Sequence, residues 1–277
     1  MRNNAPAYAV AYALTAAACI IMIPDISHAV NFYDGARAPK GLYFLTYSSV
    51  YTADKVTGSD GRAIKKGYGL LKAEELLRFC YYSPDFVVTA LLPAGGLRVD
   101  STDKNSWGLG DATAGAGYFL PIKEADVLPM LFIKLPTGEY ASDKSTNYGT
   151  HQVDIRPVVF FSKTINDFSM DAAVKYYFRL ENDKDIAPGD ELHLQYLLGY
   201  NVMKNLKLGP SVNWMMSREQ RRNGIKAAGS ERRTLSVGGD IYTRIRGMSF
   251  SFTYLYDAYT GNSPKGQYFQ IKSCYKF

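Results

Sequence analysis

Apolar and polar residues alternate with period two through most of the chain beyond residue 40, most cleanly at its C-terminal end. Arg233, Leu235, Val237, Gly239, Ile241, Thr243 and Ile245 share one face, and Thr234, Ser236, Gly238, Asp240, Tyr242 and Arg244 share the other. After Arg246-Gly247, the residues Met248, Phe250, Phe252, Tyr254 and Tyr256 alternate with Ser249, Ser251, Thr253, Leu255 and Asp257. A last run sets Phe269, Ile271, Ser273, Tyr275 and Phe277 against Gln270, Lys272, Cys274 and Lys276. Side chains of a strand point to opposite faces in turn, so this is strand sequence with one apolar and one polar face. The runs last about ten residues, where globular strands average about five or six, and a tilted strand needs about nine to eleven to cross a bilayer.

The same pattern predicts nine earlier runs: 41–52, 71–82, 86–94, 109–120, 127–136, 150–162, 168–180, 191–203 and 206–217. Glu75 interrupts the apolar face of the second, and Pro157 removes a ladder donor from the sixth. Residues 30–40 read as a short polar lead and 53–70 as a polar connection. Connections alternate between long and short, which predicts an all-β fold, a twelve-stranded antiparallel up-and-down transmembrane β-barrel, with short turns at the periplasmic rim and long loops outside. Closure is required, because an open sheet edge in hydrocarbon leaves its backbone groups unpaired. Period two alone does not say which face is inside, and a soluble barrel would turn its apolar face inward. Strand length, two loop classes and aromatic residues near run ends (Tyr81, Tyr200, Trp214, Tyr256, Tyr275) favour the membrane barrel.

Residues 1–29 read as a secretory signal peptide that is removed, with Arg2 at the start, an apolar stretch from Ala5 to Ile23, Pro24, and a small-residue site at Ser27-His28-Ala29. This leaves 30–277 as one outer-membrane barrel domain, with about a dozen residues before the first run and hence no expected passenger domain. The 277 residues carry a formal charge of +6, and 22 of them are tyrosine. Abundant tyrosine suits a membrane interface. The mean hydropathy of -0.18 does not argue against it, since lumen-facing residues dilute the lipid-facing ones.

The two cysteines beyond the leader, Cys80 and Cys274, both fall on polar faces. One strand separates them in a closed barrel, so about 9–10 Å is expected between them. A disulfide needs Cα atoms within about 7 Å, so free thiols near the periplasmic rim are expected.

The polar faces supply the candidate lumen lining: Arg78, Asp154, Arg156, Asp171, Lys175, Arg179, His193, Gln195, Asp240 and Arg244. Both signs of charge suit a wet pore for polar solutes, and equally a salt-bridged interior. Arg218, Arg221, Arg222, Lys226, Arg232 and Arg233 cluster at the loop rim, either to attract anionic solutes or lipopolysaccharide phosphates or simply as a charged, solvated loop that needs no function. No nucleophile–base pair occurs at same-face spacing: Gln195 stands two residues after His193, and Val153 two after His151. No enzyme activity, catalytic residue, cofactor or metal is expected.

Two motifs add a family resemblance. Gly108-Leu109-Gly110-Asp111 leads into a strand ending Gly117-Tyr118-Phe119-Leu120-Pro121, and Lys134-Leu135-Pro136-Thr137-Gly138-Glu139-Tyr140 precedes a loop and a strand. Their order resembles the outer-membrane protein family associated with meta-pathway phenol degradation, over most of the chain beyond the leader. The resemblance implies a β-barrel transporter of small, often aromatic or hydrophobic, compounds, and carries no substrate-defining residues with it. Read physically, the glycines relax the backbone where a loop enters a strand, and Asp111 bonds nearby backbone. The terminal Phe277 is similar to the signal that outer-membrane proteins present to the barrel assembly machinery.

The expected function is passive uptake of small molecules, aromatic or hydrophobic compounds among them, through a porin-like channel in the outer membrane of a Gram-negative bacterium. Expected partners are a small-molecule solute, outer-membrane lipid and lipopolysaccharide, and the assembly machinery; no nucleic acid is expected. A structural or adhesion-type barrel with a filled lumen is the alternative, followed by a membrane-embedded lipid enzyme.

Overall fold

A computed structural model describes residues 29–102, 104–140, 147–182 and 185–277. The leader reading therefore falls on residues outside the described ones, except for Ala29. Twelve antiparallel strands close into a barrel: β1 Gly41–Thr57, β2 Ala63–Tyr82, β3 Phe86–Val99, β4, β5 Asp126–Lys134, β6 Asp154–Ile165, β7 Phe168–Arg179, β8 Glu191–Met203, β9 Leu206–Ser217, β10 Arg233–Ile245, β11 Met248–Gly261 and β12 Pro264–Lys276. Strand β4 has two segments, Lys104–Leu109 and Thr113–Tyr118, both paired with β3. Each strand pairs with its chain neighbours, and β1 pairs with β12 to close the sheet.

The strand assignments agree with the sequence pattern in the second half and differ in the first, where β3 also runs on to Val99 and β4 begins at Lys104, within an expected loop. Strands β1 and β2 extend well past the apolar alternation, so Ala53–Thr57 and Ala63–Leu70 are strand where a loop was expected. Glycines carry this extension: Gly67 and Gly69 hold positive φ inside β2, which lets a polar stretch bend with the sheet. Strand β4 breaks at 110–112, where glycine allows the chain to turn Asp111 inward.

The apolar face points outward. Val174, Leu194, Leu208, Ile241, Phe252 and Ile271 are exposed, whereas their neighbours Gln195, Lys207, Asp240, Thr253 and Gln270 are buried. That excludes the inverted soluble barrel. Aromatic pairs mark the short-turn rim, with Tyr81 against Phe86 at 6.2 Å and Phe168 against Tyr200 at 5.0 Å between ring centroids, as interface girdles do. Glu75 does face outward within this apolar surface, and there it accepts a hydrogen bond from Ser48 Oγ at 2.5 Å.

Three strand interruptions coincide with proline. Arg156 and Pro157 drop out of the ladder with β7, and Pro210 out of that with β8, as missing donors require. Beside the β4 break, Gly110 N–H donates to Pro93 O at 2.8 Å.

Cys80 and Cys274 are free thiols. Both point inward near the short-turn rim and lie on either side of β1, where Cys80 is level with Tyr43 and Cys274 with Leu45. Thiol titration of the unfolded, unreduced chain lacking residues 1–29 should find two reactive groups; a two-dalton mass deficit with none would contradict this strand order.

Candidate functional site: a plugged lumen

The short lead is not solvated. Residues 29–36 enter the barrel from the short-turn rim and run up inside it, leaving Val30, Asn31 and Phe32 at most 1% exposed. Val30 and Phe32 pack with Val87, Leu128, Phe160 and Leu197 in an apolar cluster on the inner wall. The reading of 30–40 as a short polar lead is therefore corrected: its first residues are a plug against which part of the interior is packed. The reason it escaped the sequence pattern is plain. Two apolar residues in a segment too short to show a period carry no signal until the barrel supplies the surface they cover.

Polar contacts place the plug at successive levels. At the rim, the Arg37 guanidinium pairs with Asp126 at 3.1 Å and donates to the backbone carbonyls of Pro84 and Leu120. Deeper, Asp34 forms an ion pair with Lys272 of β12 and accepts from its own Asn31 N–H at 2.9 Å. Tyr33 N–H donates to Asp171 at 3.1 Å, and Asn31 Nδ2 donates to Asp240 at 2.7 Å and to Thr253 at 2.8 Å. Burial alone would push the Asp34 carboxyl up, but the Lys272 ammonium and the Asn31 N–H outweigh it and hold it below its usual range.

A cavity of about 170 Å³ remains between the plug and the wall. Its lining carries five cationic side chains (Lys72, Arg78, Lys134, Arg156, Lys175) and three carboxylates (Asp34, Glu74, Asp111). Tyr148 and Thr150 reach it from the long loop between β5 and β6. Tyr148 donates its hydroxyl to Glu74 at 2.7 Å, and Glu74 pairs with Lys72 at 3.4 Å.

The two sequence motifs meet above this cavity. Asp111, buried at the β4 break, accepts from Gly138 N–H at 2.9 Å and from the N–H and hydroxyl of Thr150 at 2.9 and 2.6 Å. Ala112 N–H donates to Thr137 Oγ1 at 2.8 Å, and Glu139 N–H to Leu109 O at 2.9 Å. A Cβ on Gly138 would stand 2.7 Å from the Gly110 carbonyl carbon, so glycine is needed for this backbone approach. The motifs are thus a clasp that folds the loop toward the lumen, in which Asp111 bonds backbone N–H groups as its place in the motif suggests. Asp111→Ala should cost at least about 2 kcal/mol, since several hydrogen bonds to one buried carboxylate are lost, and should speed proteolysis of the 135–153 loop. Unchanged cleavage would remove the clasp role.

The candidate lining residues separate into groups. Arg78, Arg156 and Lys175 line the cavity. Asp154 lies behind it, joined to Arg156 at 2.6 Å and Lys134 at 3.1 Å. Asp171 and Asp240 face the plug. Arg179 and His193 converge on buried Glu191 at 3.0 and 2.9 Å. Gln195 is buried in the wall, and Arg244 is exposed at the short-turn rim. Arg232, expected at the loop rim, instead turns inward to Glu191 at 2.5 Å. Sequence reasoning missed Asp34, Lys134, Asp111 as a lumen group, and Lys272 as the plug's partner. Lys272 was legible as inward-facing, but Asp34 had no pattern to mark it.

Among solved structures, an outer membrane channel from Pseudomonas putida F1 matches with a TM-score of 0.83 and 17% identity over 90% of this chain and 100% of that one. The translocator domain of the autotransporter NalP from Neisseria meningitidis matches at 0.54 and 9% identity, over 98% of each chain. The NanC porin matches at 0.52 and 10% identity, over 84% of this chain and 100% of that one. At these identities the likeness is one of fold. No curated protein sequence matches the chain. The model of the family described as "Putative MetA-pathway of phenol degradation" matches residues 41–272, from the start of β1 into β12, and the chain belongs to that family.

Proposed function

We propose that the chain is an outer-membrane channel that admits small molecules by passive diffusion and that its N-terminal segment is a removable stopper. The observation that carries this is how the plug is held. Its ties to the wall run through side chains at separate levels, and the segment contributes no strand to the sheet. It can therefore leave without opening the barrel. A barrel filled for structural reasons has no need of a detachable filling. Aromatic side chains among the charges (Tyr47, Phe132, Tyr148, Tyr177) suit small aromatic solutes. Export by cleavage after Ala29 fits the same reading, because the chain would then begin within the lumen as the end of the plug.

Single-channel recording in planar bilayers tests it. The wild-type barrel should show low or intermittent conductance, and a variant beginning at residue 38 should show a steady, larger one. A folded truncated barrel with no conductance and no solute flux in liposome swelling would overturn the channel reading in favour of a structural barrel.

A further inference from the structure

We infer that the lumen cavity is a binding site for a small aromatic monocarboxylate, with Arg78 receiving the carboxylate. This deepens the channel reading and rests on it for its biological role, though not for its measurement. Of the five lining cations, three already face carboxylates, Lys72 facing Glu74 and both Lys134 and Arg156 facing Asp154, and a fourth, Lys175, is an ammonium that presents a point charge and no fork. Arg78 differs. Its Nε donates to Thr89 Oγ1 at 3.0 Å and one terminal nitrogen donates to Tyr47 Oη at 3.2 Å, both neutral acceptors. Among the described residues no carboxylate forms an ion pair with it. The three carboxylates that line the cavity are engaged elsewhere, Asp34 by Lys272, Glu74 by Lys72 and Tyr148, and Asp111 by Thr150, Gly138 and Lys134.

A guanidinium offers five donors in a fork that matches a carboxylate, and its charge is not balanced by hydroxyls. The rest of the cavity determines what the carboxylate is attached to. Phe132, Phe160, Leu91 and Val158 give it an apolar wall. A wholly polar anion such as phosphate would leave that wall in contact with charge, and a neutral phenol would offer the Arg78 fork no carboxylate, leaving it only the longer-range attraction of Asp34. The volume of about 170 Å³ is close to that of cavities of about 150 Å³ that take up benzene.

Isothermal titration of the full barrel in detergent, with benzoate, benzyl alcohol and phenol as probes, tests the assignment. Benzoate should bind about tenfold or more tightly than either neutral probe. Arg78→Gln should lose at least about that factor for benzoate while leaving the neutral probes unchanged, and Arg78→Lys should recover part of it. Benzyl alcohol binding as tightly as benzoate, or an unaltered benzoate affinity in a folded Arg78→Gln barrel, would overturn it. Should that variant fail to fold, the comparison of the three probes on the wild-type protein still decides. Binding is measured without current, so a barrel that binds benzoate yet never conducts would refute the channel reading alone. One that conducts without preferring benzoate would refute this site alone.

Discussion

Lys272→Met is expected to unseat the plug and raise single-channel conductance to that of a barrel lacking residues 30–37. The ammonium of Lys272 and the carboxylate of Asp34 have side chains 10% and 11% exposed. Removing one partner of a buried pair leaves the other charge desolvated, at a cost of about 3–5 kcal/mol. In a packed core that cost would appear as unfolding. Here the charge sits on a segment tied by side chains, so the cheaper response is for the segment to return to water. Barrel melting should therefore change little, while residues 29–37 become open to protease. Asp34→Asn combined with Lys272→Met should reseat the plug in part, because neither charge is left buried alone. Wild-type conductance in Lys272→Met would show that the pair does not hold the segment. The pH dependence has a fixed sign. Asp34 is held below its usual range, so its contribution is complete above the unfolded value of about 3.9 and is lost only as pH falls through the lower, folded value. Acidification to about pH 5 should leave the Asp34–Lys272 pair intact.

Legibility in the sequence followed the physics of each part. From β7 to β12 the strands read almost residue by residue, because lipid on one side and lumen on the other impose strict alternation. Strand β2 was legible only below Leu70, since its upper half projects beyond the hydrocarbon and has no apolar face to show. The inward direction of Arg78, Lys175 and Cys274 followed from parity alone. What those residues meet did not. Arg232 was placed at the rim by its neighbours in the chain, yet it answers a carboxylate 41 residues away. The plug was illegible for the same reason, since its contacts with the wall are all with residues distant in sequence, and a charge such as Asp34 acquires its meaning only once the barrel sets Lys272 beside it.

Val174→Arg should destabilise the barrel by about 2–4 kcal/mol, while Lys175→Arg, one residue on, should cost well under half of that. Val174 is 50% exposed and pairs with Leu194 on one side and Val159 on the other, so its surroundings are apolar on the outer face of three strands. Arginine there must reach out of the hydrocarbon or draw water into it, and charged residues at the bilayer midplane carry that cost in barrels. Lys175 points the other way, into the charged cavity, and replacement by arginine keeps its charge. The two sites share a strand, a depth and a neighbouring backbone, so strand propensity and folding route cancel in the comparison. Reversible folding into lipid vesicles, followed by denaturant titration, measures both. Similar losses at the two positions would mean that the outer face does not contact hydrocarbon at this level, and that the barrel's membrane band lies elsewhere along its axis.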